Sequence, residues 1–125
     1  MKLFMLLGSV GAGLAVLLGA FGAHGLKGRL DAHALEVFQT GVQYQFYHSL
    51  GLILVGLTLA QFLESSLLLW SGRLFTVGIV LFSGSLYLVS LLGIRWLGII
   101  TPFGGLAFIV GWILFSVAVY KTQGS

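Results

Sequence analysis

Uncharged apolar stretches long enough to cross a bilayer recur along this chain, and they limit its fold more than any other feature. Leu3 to Leu26, Tyr44 to Leu63, Leu74 to Leu92 and Ile99 to Tyr120 contain no Lys, Arg, Asp or Glu. In hydrocarbon every backbone N–H and C=O must find a partner within the protein, so only helices and closed barrels span. A helix needs about 20 apolar residues to cross a ~30 Å core. A barrel strand alternates apolar and polar residues over about ten positions. These stretches are continuously apolar, so helices are expected. The first run also exceeds the apolar region of a signal peptide, about 7–15 residues, which favours a span.

Composition supports lipid as the outer solvent. Hydrophobic residues make up 58% of the 125 positions and charged residues 7%, against roughly 25% charged in a soluble domain. Six Lys/Arg and three Asp/Glu cannot cover a water-facing surface. The basic residues Lys2, Lys27, Arg29, Arg73, Arg95 and Lys121 are scattered at the ends of apolar runs. They suit snorkelling cations, and no basic cluster points to nucleic acid. With no cysteine, disulfides, thiolate metal sites and cysteine nucleophiles are excluded.

The expected fold is an all-α membrane protein, one compact bundle of four transmembrane helices. The spans fall at about residues 3–26, 44–63, 72–92 and 99–120. An amphipathic segment precedes the second span. Asp31 is placed to cap it. Glu36, Gln39, Gln43 and Tyr47 form its polar face, and Leu35, Phe38, Val42 and Phe46 its apolar face. Glu64-Ser65-Ser66 marks the exit of the second span. Leu67 to Trp70 reads as a short interfacial return. Thr101-Pro102 reads as an N-cap followed by proline at the first helical position. Four crossings place both termini on one side. The positive-inside rule leaves the side open, because Lys2, Arg73 and Lys121 balance Lys27, Arg29 and Arg95.

Helices in lipid associate through close packing and hydrogen bonds rather than apolar burial. Gly11, Ala15, Gly19 and Ala23 recur every fourth residue and form a small-residue stripe. Gly104, Ala107 and Gly111 flatten the last span similarly. These positions are the expected helix-packing residues.

Ionisable groups at membrane depth invite a functional reading. His24 ends the first span and His48 opens the second. A polar cluster of His24, Gln43, Tyr44, Tyr47 and His48, with Thr101, is expected at one end of the bundle. It would cap helices and fix the bundle or, alternatively, hold a lipid, a quinone or haem. No catalytic constellation, metal set or resident cofactor is expected. The span centres hold no polar pathway, so a transporter or channel would require oligomers.

Four motifs carry a family resemblance: Gly19-Ala20-Phe21-Gly22-Ala23-His24-Gly25-Leu26, Tyr44-Gln45-Phe46-Tyr47-His48, Ser83-Gly84-Ser85-Leu86-Tyr87, and Thr101-Pro102-Phe103-Gly104-Gly105 with Gly111-Trp112. In this order they resemble the YgdD/YwdK family of small bacterial inner-membrane proteins, a domain of unknown function. Eukaryotic transmembrane protein 256 is similar. The resemblance implies a multi-pass protein of the bacterial inner membrane with no settled enzymatic activity. It marks His24, Tyr44, Tyr47, His48, Thr101 and Pro102 as motif positions. The expected role is assembly in the lipid bilayer, as a homo-oligomer or a subunit of a larger membrane complex.

Overall fold

Helices account for nearly all of the computed structural model, which describes residues 2–61 and 65–123. The expected exit at Glu64 and the last residues of the second span lie outside the described residues. Helix α1 (Lys2–Phe21) runs on into a π-helical turn, Gly22–Leu26. The chain then reverses over a few residues. Arg29 and Leu30 donate their N–H groups to the Leu26 carbonyl at 2.9 and 3.1 Å, and Gly28 takes φ +91°, a conformation that a side chain would strain. Asp31 Oδ1 accepts from the Ala34 N–H at 2.7 Å, which is the expected cap.

Helix α2 (Ala32–Gln61) is continuous. The amphipathic segment is therefore its first third and does not form a separate element. Phe38 is fully buried on this helix while Glu36, Gln39 and Gln43 face outward. Ser65 Oγ then caps α3 (Ser66–Gly78) by accepting from the Leu68 N–H at 3.3 Å. The expected return at Leu67–Trp70 is thus no separate element. It forms the opening turns of α3, because Leu68 drops fully into the core. A π turn (Ile79–Ser83) joins α3 to α4 (Gly84–Leu92). Gly93 ends α4 at φ +69°, and its N–H bonds the Val89 carbonyl at 3.1 Å.

A 3₁₀ turn (Arg95–Ile99) leads into α5 (Thr101–Gln123). Thr101 is already helical, and its hydroxyl pairs with Ser85 Oγ at 2.5 Å instead of capping the helix. The Ile100 carbonyl accepts the first N–H groups, from Phe103 at 3.1 Å and Gly104 at 3.4 Å. Pro102 still falls in the first turn, where its missing N–H costs nothing.

Among the described residues, three stretches are long and apolar enough to cross a membrane: Lys2–Leu26, Ser66–Leu92 and Arg95–Lys121. The α1–α2 pair and the α3/α4–α5 pair are antiparallel hairpins, and α2 touches α1, α3 and α4. Phe4, Leu52, Val55, Leu68, Phe75, Phe108 and Ala118 form the core where the hairpins meet.

Small residues set the helix spacing. A Cβ at Gly8 would lie 2.5 Å from the Ser49 carbonyl oxygen, and one at Gly104 would strike the Phe82 backbone. Gly78 receives the Phe108 ring and Gly72 the Phe4 ring. Gly111 lies against Phe75 and the Ser71 carbonyl. Ala15 and Ala107 are buried. Along α1, Gly11 faces Ser49, and Gly19 meets Val42 only at ordinary contact, 3.5 Å. Ala23 points outward. The π turn rotates the stripe there by one position, so Gly22 receives Phe38 instead.

Candidate functional site

The polar residues of α2 divide between two faces. Gly41, Gln45, His48, Ser49 and Leu52 point inward, at helical spacings of three and four. Gln43 and Tyr47 are exposed on the other side, while the half-exposed Tyr44 keeps its ring against His48, 6.0 Å between centroids, and Phe82, 4.6 Å. Of the neighbours expected for His48 from sequence proximity, Tyr44 does lie against it, whereas Gln43 faces away.

His48 sits in an aromatic box. Its ring stacks on Phe108 with centroids 3.5 Å apart and planes 8° from parallel. Phe75 meets it edge-on at 5.5 Å. Trp112 Nε1–H donates to His48 Nε2 at 3.0 Å. Indole nitrogen can only donate, so Nε2 must be the unprotonated acceptor. The ring proton then lies on Nδ1 and is donated to the Tyr44 carbonyl at 2.8 Å. Both nitrogens are occupied and no lone pair remains for a metal. Trp112 was visible in the sequence only as a motif partner of Gly111. Its role needed the pairing of α5 with α2.

Gln45 ties three helices together. Its Nε2 donates to the Gly11 carbonyl of α1 at 2.8 Å, and its Oε1 accepts from Tyr87 O–H of α4 at 2.5 Å. Ser83 Oγ donates to the Gly41 carbonyl at 2.6 Å. Ser71 Oγ donates to the Gly111 carbonyl at 2.8 Å. Such bonds between helices contribute about 0.6 kcal/mol each on average, up to ~1.7. Ser49 Oγ differs from them, being fully buried and without a partner.

Of the expected cluster, Tyr44 stays against both Tyr47 and His48, at 5.7 and 6.0 Å between ring centroids, while His24 and Thr101 lie elsewhere. His24 is exposed and lies beside the Gly22–Phe38 contact, whereas Ser49, next to His48, faces Gly8 and Gly11. The offset along α2 is about ten residues, or ~15 Å. His24 and His48 therefore do not converge on one ligand. Thr101 belongs to a third locality, with Ser85. Among the described residues, no group of three or more His, Asp or Glu gathers to hold a metal ion.

A family model described as "Protein of unknown function (DUF423)" matches residues 18–105. The chain is 50% identical to the UPF0382 membrane protein YwdK of Bacillus subtilis (strain 168) over 121 residues, covering 97% of this chain and 98% of that protein. It is 46% identical to the UPF0382 membrane protein SAB0533 of Staphylococcus aureus (strain bovine RF122 / ET3-1), covering 99% and 100%. The UPF0382 membrane protein SH2409 of Staphylococcus haemolyticus (strain JCSC1435) matches at 46% with the same coverage. No solved structure matches. With this bundle, these motifs and these full-length relatives, the chain belongs to the YgdD/YwdK-like DUF423 family of membrane proteins, a family of unknown function.

Proposed function

We propose that this protein is a non-catalytic, four-span protein of the bacterial inner membrane that acts by assembly, as a homo-oligomer or as an accessory subunit of a larger complex. One observation carries the reading. Gln45, His48, Ser71 and Ser83, all buried in the interior, bond to neighbouring helices. Groups held this way fix the bundle and are not free to perform chemistry. What remains to act is the outer surface, where Leu106, Ile109, Ile113 and Val117 form an exposed apolar row on α5.

The fourth crossing is α2. Its 30 residues make a rod of ~45 Å, longer than the ~30 Å core. Its polar middle faces the protein, while Leu50, Leu54 and Leu57 face outward. Lipid therefore meets a more apolar helix than the average of its residues suggests.

Co-purification from native membranes followed by native mass spectrometry tests the assembly role. A defined oligomer or a stoichiometric partner is expected. A bare monomer in both mild detergent and nanodiscs overturns it. Single cysteines placed in this cysteine-free chain test the topology. Labels near Lys2 and Lys121 should react from one side of the membrane, and a label at Lys27 from the other.

A further inference from the structure

We infer that the outer face of α2 pairs with the same face of a second copy of this chain, as a parallel two-helix seam closed by the Gln43 carboxamides. This deepens the assembly role and rests on it, naming the surface and the partner.

Spacing is the first observation. Gln43, Tyr47, Leu50, Leu54, Leu57 and Gln61 follow one another at alternating intervals of four and three. That is the heptad pattern that keeps one stripe of a helix turned toward a partner helix. All six are exposed. They lie on the side of α2 opposite Gln45 and Leu52, which are buried in the bundle. The stripe therefore does not serve the packing of this chain's own helices.

Depth is the second. Gln43 follows Val42, which lies against Gly19 of α1. Lys2 and Lys27 bound an uncharged run of ~37 Å, so a centred ~30 Å core ends ~4 Å short of each. Gly19 is eight residues from Lys27, or ~12 Å, which puts Gln43 about 8 Å inside the hydrocarbon. A side chain as short as glutamine does not snorkel that far. Its carboxamide has no hydrogen-bond partner among the described residues, and lipid tails offer none. The apolar row on α5, by contrast, is satisfied by lipid alone.

Electrostatic complementarity selects the partner. A carboxamide holds two donors and an acceptor, so two of them across a two-fold axis match, each oxygen accepting from the other's N–H. Copies inserted in the same orientation bring Gln43 to Gln43 and Leu50 to Leu50 at equal depth. A slip of one heptad would set each carboxamide against Leu50, so the amide pair also fixes the register. Glu36, one heptad above Gln43, stands ~10 Å shallower, at the headgroup level where two carboxylates stay hydrated. A different partner would have to repeat both the heptad and a polar group at this depth.

Single cysteines in this cysteine-free chain test the seam, oxidised in native membranes with copper phenanthroline and read by product mass. Tyr47→Cys, Leu50→Cys, Leu54→Cys and Leu57→Cys should each give a disulfide dimer of twice the chain mass. Leu17→Cys and Ile109→Cys, at residues 67% and 59% exposed, are the controls and should stay monomeric. No dimer at the four seam positions overturns the inference, as does a dimer at only one of them, equal yields at the controls, or a seam product containing a different protein. A dimer at Ile109→Cys alone overturns the seam and leaves homo-oligomeric assembly standing, whereas a bare monomer in native mass spectrometry overturns both. Gln43→Leu should raise the dimer dissociation constant about tenfold, the value of one interhelical polar pair, and Gln43→Asn should recover most of the affinity. A Gln43→Leu protein that dimerises as tightly as the parent overturns the inference. Should Gln43→Leu fail to fold, the cross-linking pattern still decides.

Discussion

The two sides of α2 solve the same problem differently. Toward α3 and α5, His48 is boxed by Phe75, Phe108 and Trp112. Ser71 ties α3 to α5, and Gly78 and Gly111 receive aromatic rings. Both ring nitrogens of His48 and the Ser71 hydroxyl have partners there. Toward α1, Gly8 also brings backbones together, yet beside that contact a groove stays open and the Ser49 hydroxyl has no partner. A buried hydroxyl without a partner costs about 1–3 kcal/mol. A fold that needed this interface only for stability could place alanine there. The first side is tied by interhelical bonds, and the second combines a backbone contact at Gly8 with a buried hydroxyl that pairs with nothing.

Substitutions at tight glycines should show the largest effects and identify the contacts that hold the hairpins. Gly104→Leu drives a branched side chain into the Phe82 backbone, which cannot move aside as a side chain can. Loss of accumulation in the membrane is expected, consistent with at least about 3 kcal/mol of overpacking. Normal expression with an unchanged melting temperature would show that the two helices do not approach this closely.

Trp112→Phe keeps most of the ring and removes the donor to His48. The imidazole acceptor is then buried and unpaired, so destabilisation of about 1–3 kcal/mol is expected in denaturation from lipid or detergent. Replacing His48 with phenylalanine in that background should recover part of the loss, because neither partner is then left wanting. A double-mutant cycle with no coupling would mean that the pair is packed without being bonded.

Two serines offer a sharper contrast at smaller amplitude. Ser71→Ala removes an interhelical bond and should cost about 0.6 kcal/mol. Ser49→Ala removes a hydroxyl with nothing to lose and should leave stability unchanged or raised by about 1 kcal/mol. Equal costs at the two sites would erase the difference between the interfaces. Of similar size, Gly13→Ala should raise stability by up to about 1 kcal/mol, since a Cβ there meets nothing within 4 Å and glycine costs about 0.8–1.0 kcal/mol in a helix interior.

Much of the fold can be read along the chain. Asp31 caps α2 because a carboxylate before a helix has orphan N–H groups within reach. The apolar runs become helices because a chain in lipid has few other ways to satisfy its backbone. Boundaries were less legible. Leu67 to Trp70 read as a short return after Glu64-Ser65-Ser66, yet they open α3 and Leu68 belongs to the core. Arg73 stays outside with its guanidinium 4.9 Å over the Trp70 ring, so one charge need not end a helix whose other face is buried.

Little of the site was legible. Gln43 and Gln45 are two residues apart and chemically identical, and only Gln45 is buried. His24 and His48 looked like a pair because the chain reverses between them. The long descent of α2 before His48 separates them in depth.

Local chemistry along the chain decides that this protein is helical, that lipid is its solvent and that small residues line its helices. Those properties depend on each residue and its near neighbours in sequence. Which polar group finds a partner is a different kind of fact. His48 is neutral with its proton on Nδ1 because Trp112, 64 positions away, can only donate to it. Ser49 is left unpaired because the residue facing it from α1 is a glycine with no side chain to answer it. A hydrogen bond needs two atoms within about 3 Å, and only the packed bundle sets that distance between residues far apart in the chain.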